Sequence, residues 1–151
     1  MKLVLFVACD KVLVDQDRNL SLILIHHTMK LIIPSGHVLP PNAVLPKEWY
    51  VTSIWHADAS EIGRTFIQAT EFDSPAGSAQ LPRVMFGPFP ITEERRQVNT
   101  ISLHTFPGGQ QGMMTIRTWL EEHGSRMTDI STYEIKVVHK QSQPDDFIRK
   151  L

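Results

Sequence analysis

The sequence predicts an all-β protein, an antiparallel β-sandwich of roughly eight or nine strands. Three observations carry this reading. Short runs rich in Val, Ile, Thr, Tyr, Phe and Trp recur along the chain, several with the period-two alternation of a half-buried strand. Clusters of Gly, Pro, Asp and Asn punctuate them as turns do. Neither strand–helix–strand alternation nor a repeat of fixed period is present, which removes α/β and solenoid architectures.

The opening run reaches from Leu3 to Val14 and reads as a buried strand, bent or bulged at Asp10-Lys11. Asp15-Gln16-Asp17-Arg18-Asn19 is a polar turn between two apolar runs, the pattern of a hairpin. The second run, Leu20 to Ile33, is long enough for a buried helix. Pro34-Ser35-Gly36 closes it and the preceding hairpin turn favours strand. Residues 34 to 48 hold Pro34, Pro40, Pro41 and Pro46 among apolar residues, which predicts a crossover packed on the core edge.

Trp49 to His56 reads as a strand with Trp49, Val51 and Trp55 on one face. Beyond it, Asp58-Ala59-Ser60-Glu61 is shaped like a capping box, and Ile62, Phe66 and Ala69 fit helical spacing. Gly63, Thr65, Ile67 and Thr70 weigh against a helix, so a strand is assigned from Arg64 to Phe72. Prolines confine Leu81 to Pro90 to a sheet edge. Gln97 to Phe106 alternates with Ile101 and Leu103 inward. Met113 to Glu122 fits either a helix or a strand, the strand placing Thr115, Arg117 and Trp119 opposite Met114 and Ile116. Thr132 to Lys140 alternates cleanly, with Tyr133, Ile135 and Val137 on one side.

With 151 residues the chain suits one domain, placed at 1–140 with a polar tail over 141–151. Fifteen basic and sixteen acidic side chains leave a net charge of −1, so no global attraction to nucleic acid is expected. No apolar run approaches the roughly 18 residues of a membrane span, and the N-terminal apolar stretch is too short for a secretory signal. A cytoplasmic location is therefore expected. The single Cys9 excludes a disulfide framework within the chain and reads as a small buried hydrophobe.

Few residues suggest chemistry. Asp15 to Asn19 begins like a calcium loop but has Leu20 where the turn needs Gly and His26 where it needs Glu. His26 and His27, adjacent on a strand, would point to opposite faces and could not share a metal. His56 and Asp58, two apart on an extended segment, would share a face and could support an imidazole or ligate a metal, with His104 or His123 as further ligands. Trp119 with Arg117 makes a candidate binding surface, because exposed Trp and Arg anchor interfaces. The signatures of serine hydrolases, P-loops, dinucleotide-binding folds and zincins are missing, and no catalytic residue and no cofactor is assigned.

The segment from Cys9 through Asp10, the turn Asp15 to Asn19 and the return Leu20-Ser21-Leu22 resembles the opening of an uncharacterised bacterial family of small β-sandwich proteins. The strands starting at Gly63 and Gly112 and the closing Tyr133 to Val138 strand are similar in order and spacing. His26-His27 departs from the family's glycine and hydrophobic residues at that point. The resemblance implies a sandwich and carries no activity, ligand or catalytic residue.

The function expected is a non-enzymatic cytoplasmic interaction or binding module that pairs with itself or another protein through a sheet face or the Pro-rich edge, without nucleic acid or membrane. The alternatives are a small metal-dependent hydrolase using His56 and Asp58, or a structural subunit of a homo-oligomeric assembly.

Overall fold

The structure is a computed structural model, and it describes residues 1–142. Its strands are β1 (Lys2–Val14), β2 (Leu20–Ile25), β3 (Thr28–Ile33), β4 (Leu45–Ala57), β5 (Thr65–Asp73), β6 (Val84–Pro90), β7 (Arg95–Phe106), β8 (Gly112–Glu122), β9 (Ser125–Arg126) and β10 (Ser131–Gln141), with one 3₁₀ turn at Ala59–Glu61. They form two sheets, one ordered β2-β1-β4-β7 and the other β3-β10-β8-β5-β6 with β9 beside β8. The protein is an all-β sandwich.

Alternation explains the faces. Along β4, Trp49, Val51, Ser53 and Trp55 point between the sheets, and along β10 Ile135 and Val137 do the same. The segment 113–122 is the strand β8, central in its sheet between β10 and β5. Its Met114, Ile116, Thr118 and Leu120 are fully buried, which uses the β-type alternation and leaves the helical spacing of Met113, Ile116 and Leu120 without a partner face. At 58–72 both signals in the sequence are real. Asp58 accepts from Ser60 N and Glu61 accepts from Asp58 N, so the capping box closes a single 3₁₀ turn before β5 begins at Thr65.

The run Leu20 to Ile33 is not one strand. It breaks at His26-His27 into β2 of the first sheet and β3 of the second. Leu24 takes a positive φ of 54°, His26 N donates to Ala8 O in β1, and Lys136 N in β10 donates to His27 O. The two histidines are therefore the crossing between the sheets. Crossing makes β3 run parallel to β10, the one parallel ladder among the described residues, with Thr28 opposite Lys136 and Ile33 opposite Gln141. Gln141, expected in the tail, is thus strand, and Ser142 N donates to Ile33 O; residues 143–151 lie outside the described residues.

The core is divided. One apolar cluster gathers Trp49, Val51, Phe72, Ile101, Phe106, Met114 and Ile116, the other Trp55, Phe66, Phe89, Ile91 and Leu120. Between them four strands contribute polar side chains: Ser53 from β4, Gln68 and Thr70 from β5, Asn99 from β7 and Thr118 from β8, all buried. Gln68 Oε1 accepts from Ser53 Oγ at 2.7 Å, Trp55 Nε1 at 2.9 Å and Asn99 Nδ2 at 2.8 Å, while Thr118 Oγ1 donates to Ala69 O at 2.9 Å. A hydrogen-bonded belt joins the sheets where an apolar core would leave their relative register loose.

Candidate functional site

His56, next to last in β4, lies opposite Lys2 of β1 and Arg96 of β7 and is exposed. Asp58 is engaged as a cap: its carboxylate accepts from both Ser60 Oγ and Ser60 N, and these bonds hold it below the ordinary aspartate range. Glu61 accepts from Asp58 N and pairs with the amino group of Met1. His104 does not join them. It stands on β7 next to Thr105, which pairs with Pro46 at the far end of the β4–β7 ladder, about eight residues and on the order of 27 Å from Arg96. His123 lies in the β8–β9 turn with φ 50°. Among the described residues no group of three or more His, Cys, Asp or Glu is placed to hold a metal.

Trp119 and Arg117 do share the outer face of β8, but the indole is covered, only 8% exposed. The Arg83 guanidinium sits over the ring, 5.0 Å from its centroid, and Trp119 Nε1 donates to Glu121 Oε1 at 2.9 Å. Arg83 also pairs with Glu121 at 2.8 Å, and Arg117 lies 3.9 Å from Glu71. A partner using Trp119 must first displace Arg83.

The structure brings together a set that sequence spacing could not show. Asp10, in β1 just past the last residue paired with β4, meets Lys47 Nζ at 2.8 Å and His26 Nε2 at 3.3 Å. The Lys47 bond chiefly holds Asp10 below the ordinary carboxylate range, and burial pushes His26 below the ordinary histidine range. A cavity of about 300 Å³ beside them is lined by Asp10, Lys47, Glu48 and Tyr50, whose hydroxyl donates to Glu48. The bulge expected at Asp10-Lys11 lies instead between Leu3 and Leu5, and the β1–β2 register runs unbroken past Asp10. The partners of Asp10 come from a strand junction and a strand start, 16 and 37 residues away.

This trio stands at the root of the β1–β2 hairpin. Pairing of β1 with β4 stops at Cys9 opposite Tyr50, beyond which β1 pairs with β2 alone. The hairpin then arches back over the outer face of its own sheet, so that Arg18, Leu20 and Leu22 line the same groove as Leu5, Ile54 and Val98, about 870 Å³ in volume. Its other side carries exposed Leu13, Ile23 and Ile25, with Leu24 67% exposed.

No family model matches the chain, and no curated protein sequence matches it. Of the resemblance to an uncharacterised bacterial family, the sandwich architecture stands. Among solved structures the chain is similar to the crystal structure of the CARDB domain of a Pyrococcus furiosus protein, described as a complex with di-metal ions. The identity is 12% and the TM-score 0.43, over 93% of this chain and 98% of that one. No helix among the described residues is long and apolar enough to cross a membrane.

Proposed function

We propose that the protein is a non-enzymatic, cytoplasmic interaction module that associates with a second copy of itself through the edge strand β2. The carrying observation is a contrast among the sheet edges. The two sheets end in β2, β7, β3 and β6. Three of these carry the devices that discourage edge pairing: Arg95 and Arg96 in β7, Lys30 in β3, Pro88 and Pro90 in β6. Strand β2, Leu20-Ser21-Leu22-Ile23-Leu24-Ile25, carries neither charge nor proline, and Ile23, Leu24 and Ile25 are exposed. An apolar edge with free backbone donors and acceptors is a template for another strand, and a two-fold pairing of β2 with itself closes as a dimer. The cytoplasmic setting rests on the lone, fully buried thiol of Cys9.

Sedimentation velocity over a wide concentration range tests this. A concentration-dependent dimer is expected, and Ile23→Lys is expected to leave a folded monomer. A monomer at every concentration overturns the reading. So does stoichiometric zinc or manganese that is lost in His56→Ala, which would favour metal-dependent hydrolysis.

A further inference from the structure

The inner side of the hairpin offers a different site, independent of β2 pairing. We propose that the groove beneath the β1–β2 hairpin binds a free single-chain anionic amphiphile, its hydrocarbon over Leu5, Ile54 and Val98 and its carboxylate or phosphate head at Arg96.

Cross-strand register supports both halves of this ligand. Leu5, Ile54 and Val98 are aligned across β1, β4 and β7, an apolar row on the outer sheet face. The next row outward is Lys2, His56 and Arg96, also aligned strand to strand and all exposed. Lys2 and Arg96 flank His56 on the neighbouring strands, so this end of the groove concentrates fixed positive charge that an anionic head group would meet. Arg18, at the hairpin tip, adds a further guanidinium to the groove lining, and Glu93 is the one carboxylate there. Neither Arg18 nor Arg96 forms a salt bridge among the described residues. A guanidinium offers the forked donor pair that carboxylate and phosphate accept.

The floor also discriminates between occupants. It is a sheet face, and the backbone groups of β1, β4 and β7 lie within the plane of the sheet, along the ladders or outward from the edge of β7, so they do not face a molecule lying on it. A peptide laid across it would leave its own N–H and C=O groups unpaired, whereas a hydrocarbon chain has none to pair. A groove of about 870 Å³ lies within the range of small-molecule sites.

Calorimetry on the full chain with monomeric dodecanoate and dodecyl phosphate tests the proposal. Saturable binding of either is expected, with dodecanol and dodecylamine at least about tenfold weaker. Arg96→Gln is expected to weaken dodecanoate about tenfold while leaving the melting temperature unchanged, since Arg96 is exposed and forms no salt bridge among the described residues. That contrast separates a binding role from a structural one. The proposal is overturned by no saturable binding, by equal affinity for dodecanol, or by an unaltered Arg96→Gln. Equal binding of a peptide with acidic and apolar residues, such as residues 143–151 (Gln-Pro-Asp-Asp-Phe-Ile-Arg-Lys-Leu, with two acidic and two basic side chains), that displaces dodecanoate overturns it in favour of a polypeptide occupant. Arginine-dependent sedimentation with anionic vesicles overturns it in favour of a bilayer, and dimerisation lost in Arg96→Gln overturns it in favour of a second copy.

Discussion

Replacing Gln68 with Leu removes the acceptor on which three buried donors converge. The side chain is 1% exposed, and its Oε1 serves Ser53 Oγ, Trp55 Nε1 and Asn99 Nδ2. Each buried donor left without a partner costs about 1–3 kcal/mol. Trp55 Nε1 also reaches Ser53 Oγ at 3.2 Å, so these two retain part of their bonding and the loss falls mainly on Asn99 and one further group. The expected destabilisation is about 2–5 kcal/mol. At roughly 2–4 °C per kcal/mol for a domain of this size, the melting temperature should drop by roughly 4–20 °C. Urea unfolding followed by tryptophan fluorescence measures it directly, since Trp55 sits in the belt. Adding Asn99→Leu should cost less than the sum of the single changes, because the orphaned amide is then removed, with a coupling of about 0.5–3 kcal/mol. A Gln68→Leu loss below about 1 kcal/mol, or strict additivity with Asn99→Leu, would refute the belt as a joint hydrogen-bonded unit.

Three further outcomes are expected. A methyl at Gly109 would collide with the carbonyl oxygens of Pro40 and Pro41, which are backbone and cannot rotate away, so Gly109→Ala should cost about 1–3 kcal/mol in denaturant unfolding. His26 and Asp10 both have folded-state pKa values below their ordinary ones, so the unfolded chain binds more protons as pH falls. Stability they supply is complete above the ordinary histidine range and is lost in two steps, His26 first on acidification and Asp10 below the ordinary carboxylate range. Protection factors of the β2 amides, taken relative to intrinsic exchange at each pH, should therefore fall on mild acidification, and His26→Gln should abolish the first step. Arg83→Ala should uncover the Trp119 indole, read as increased quenching of tryptophan emission by iodide with little change in the melting temperature.

Local signals in the sequence survived wherever a single strand and its turn determined the outcome. Asp15 accepts from the backbone N–H groups of Asp17 and Asn19, so the hairpin turn is made by residues four apart. Trp49, Val51 and Trp55 show their burial by alternation alone. The failures are non-local. Nothing in Leu20 to Ile33 announces that its two halves serve different sheets, because the decision is taken by Ala8 and Lys136, which bond the flanking histidines. The covering of Trp119 depends on Arg83, distant in sequence and brought over it by the pairing of β6, β5 and β8. His56 and Asp58 looked alike as ligands because period two gave them one face, yet the 3₁₀ turn that starts at Ala59 claims Asp58 and leaves His56 among cations.

The parallel ladder between β3 and β10 orders events during synthesis. Strand β3 precedes its partner by about a hundred residues, so this ladder can close only after the intervening strands have been made. Until then β3, with Ile32 and Ile33, has no strand to join, next to the uncharged β2. Over that stretch of synthesis β3 is a second unpaired strand beside β2, and closure by β10 leaves it one open edge, which carries Lys30, while β2 keeps an edge without charge.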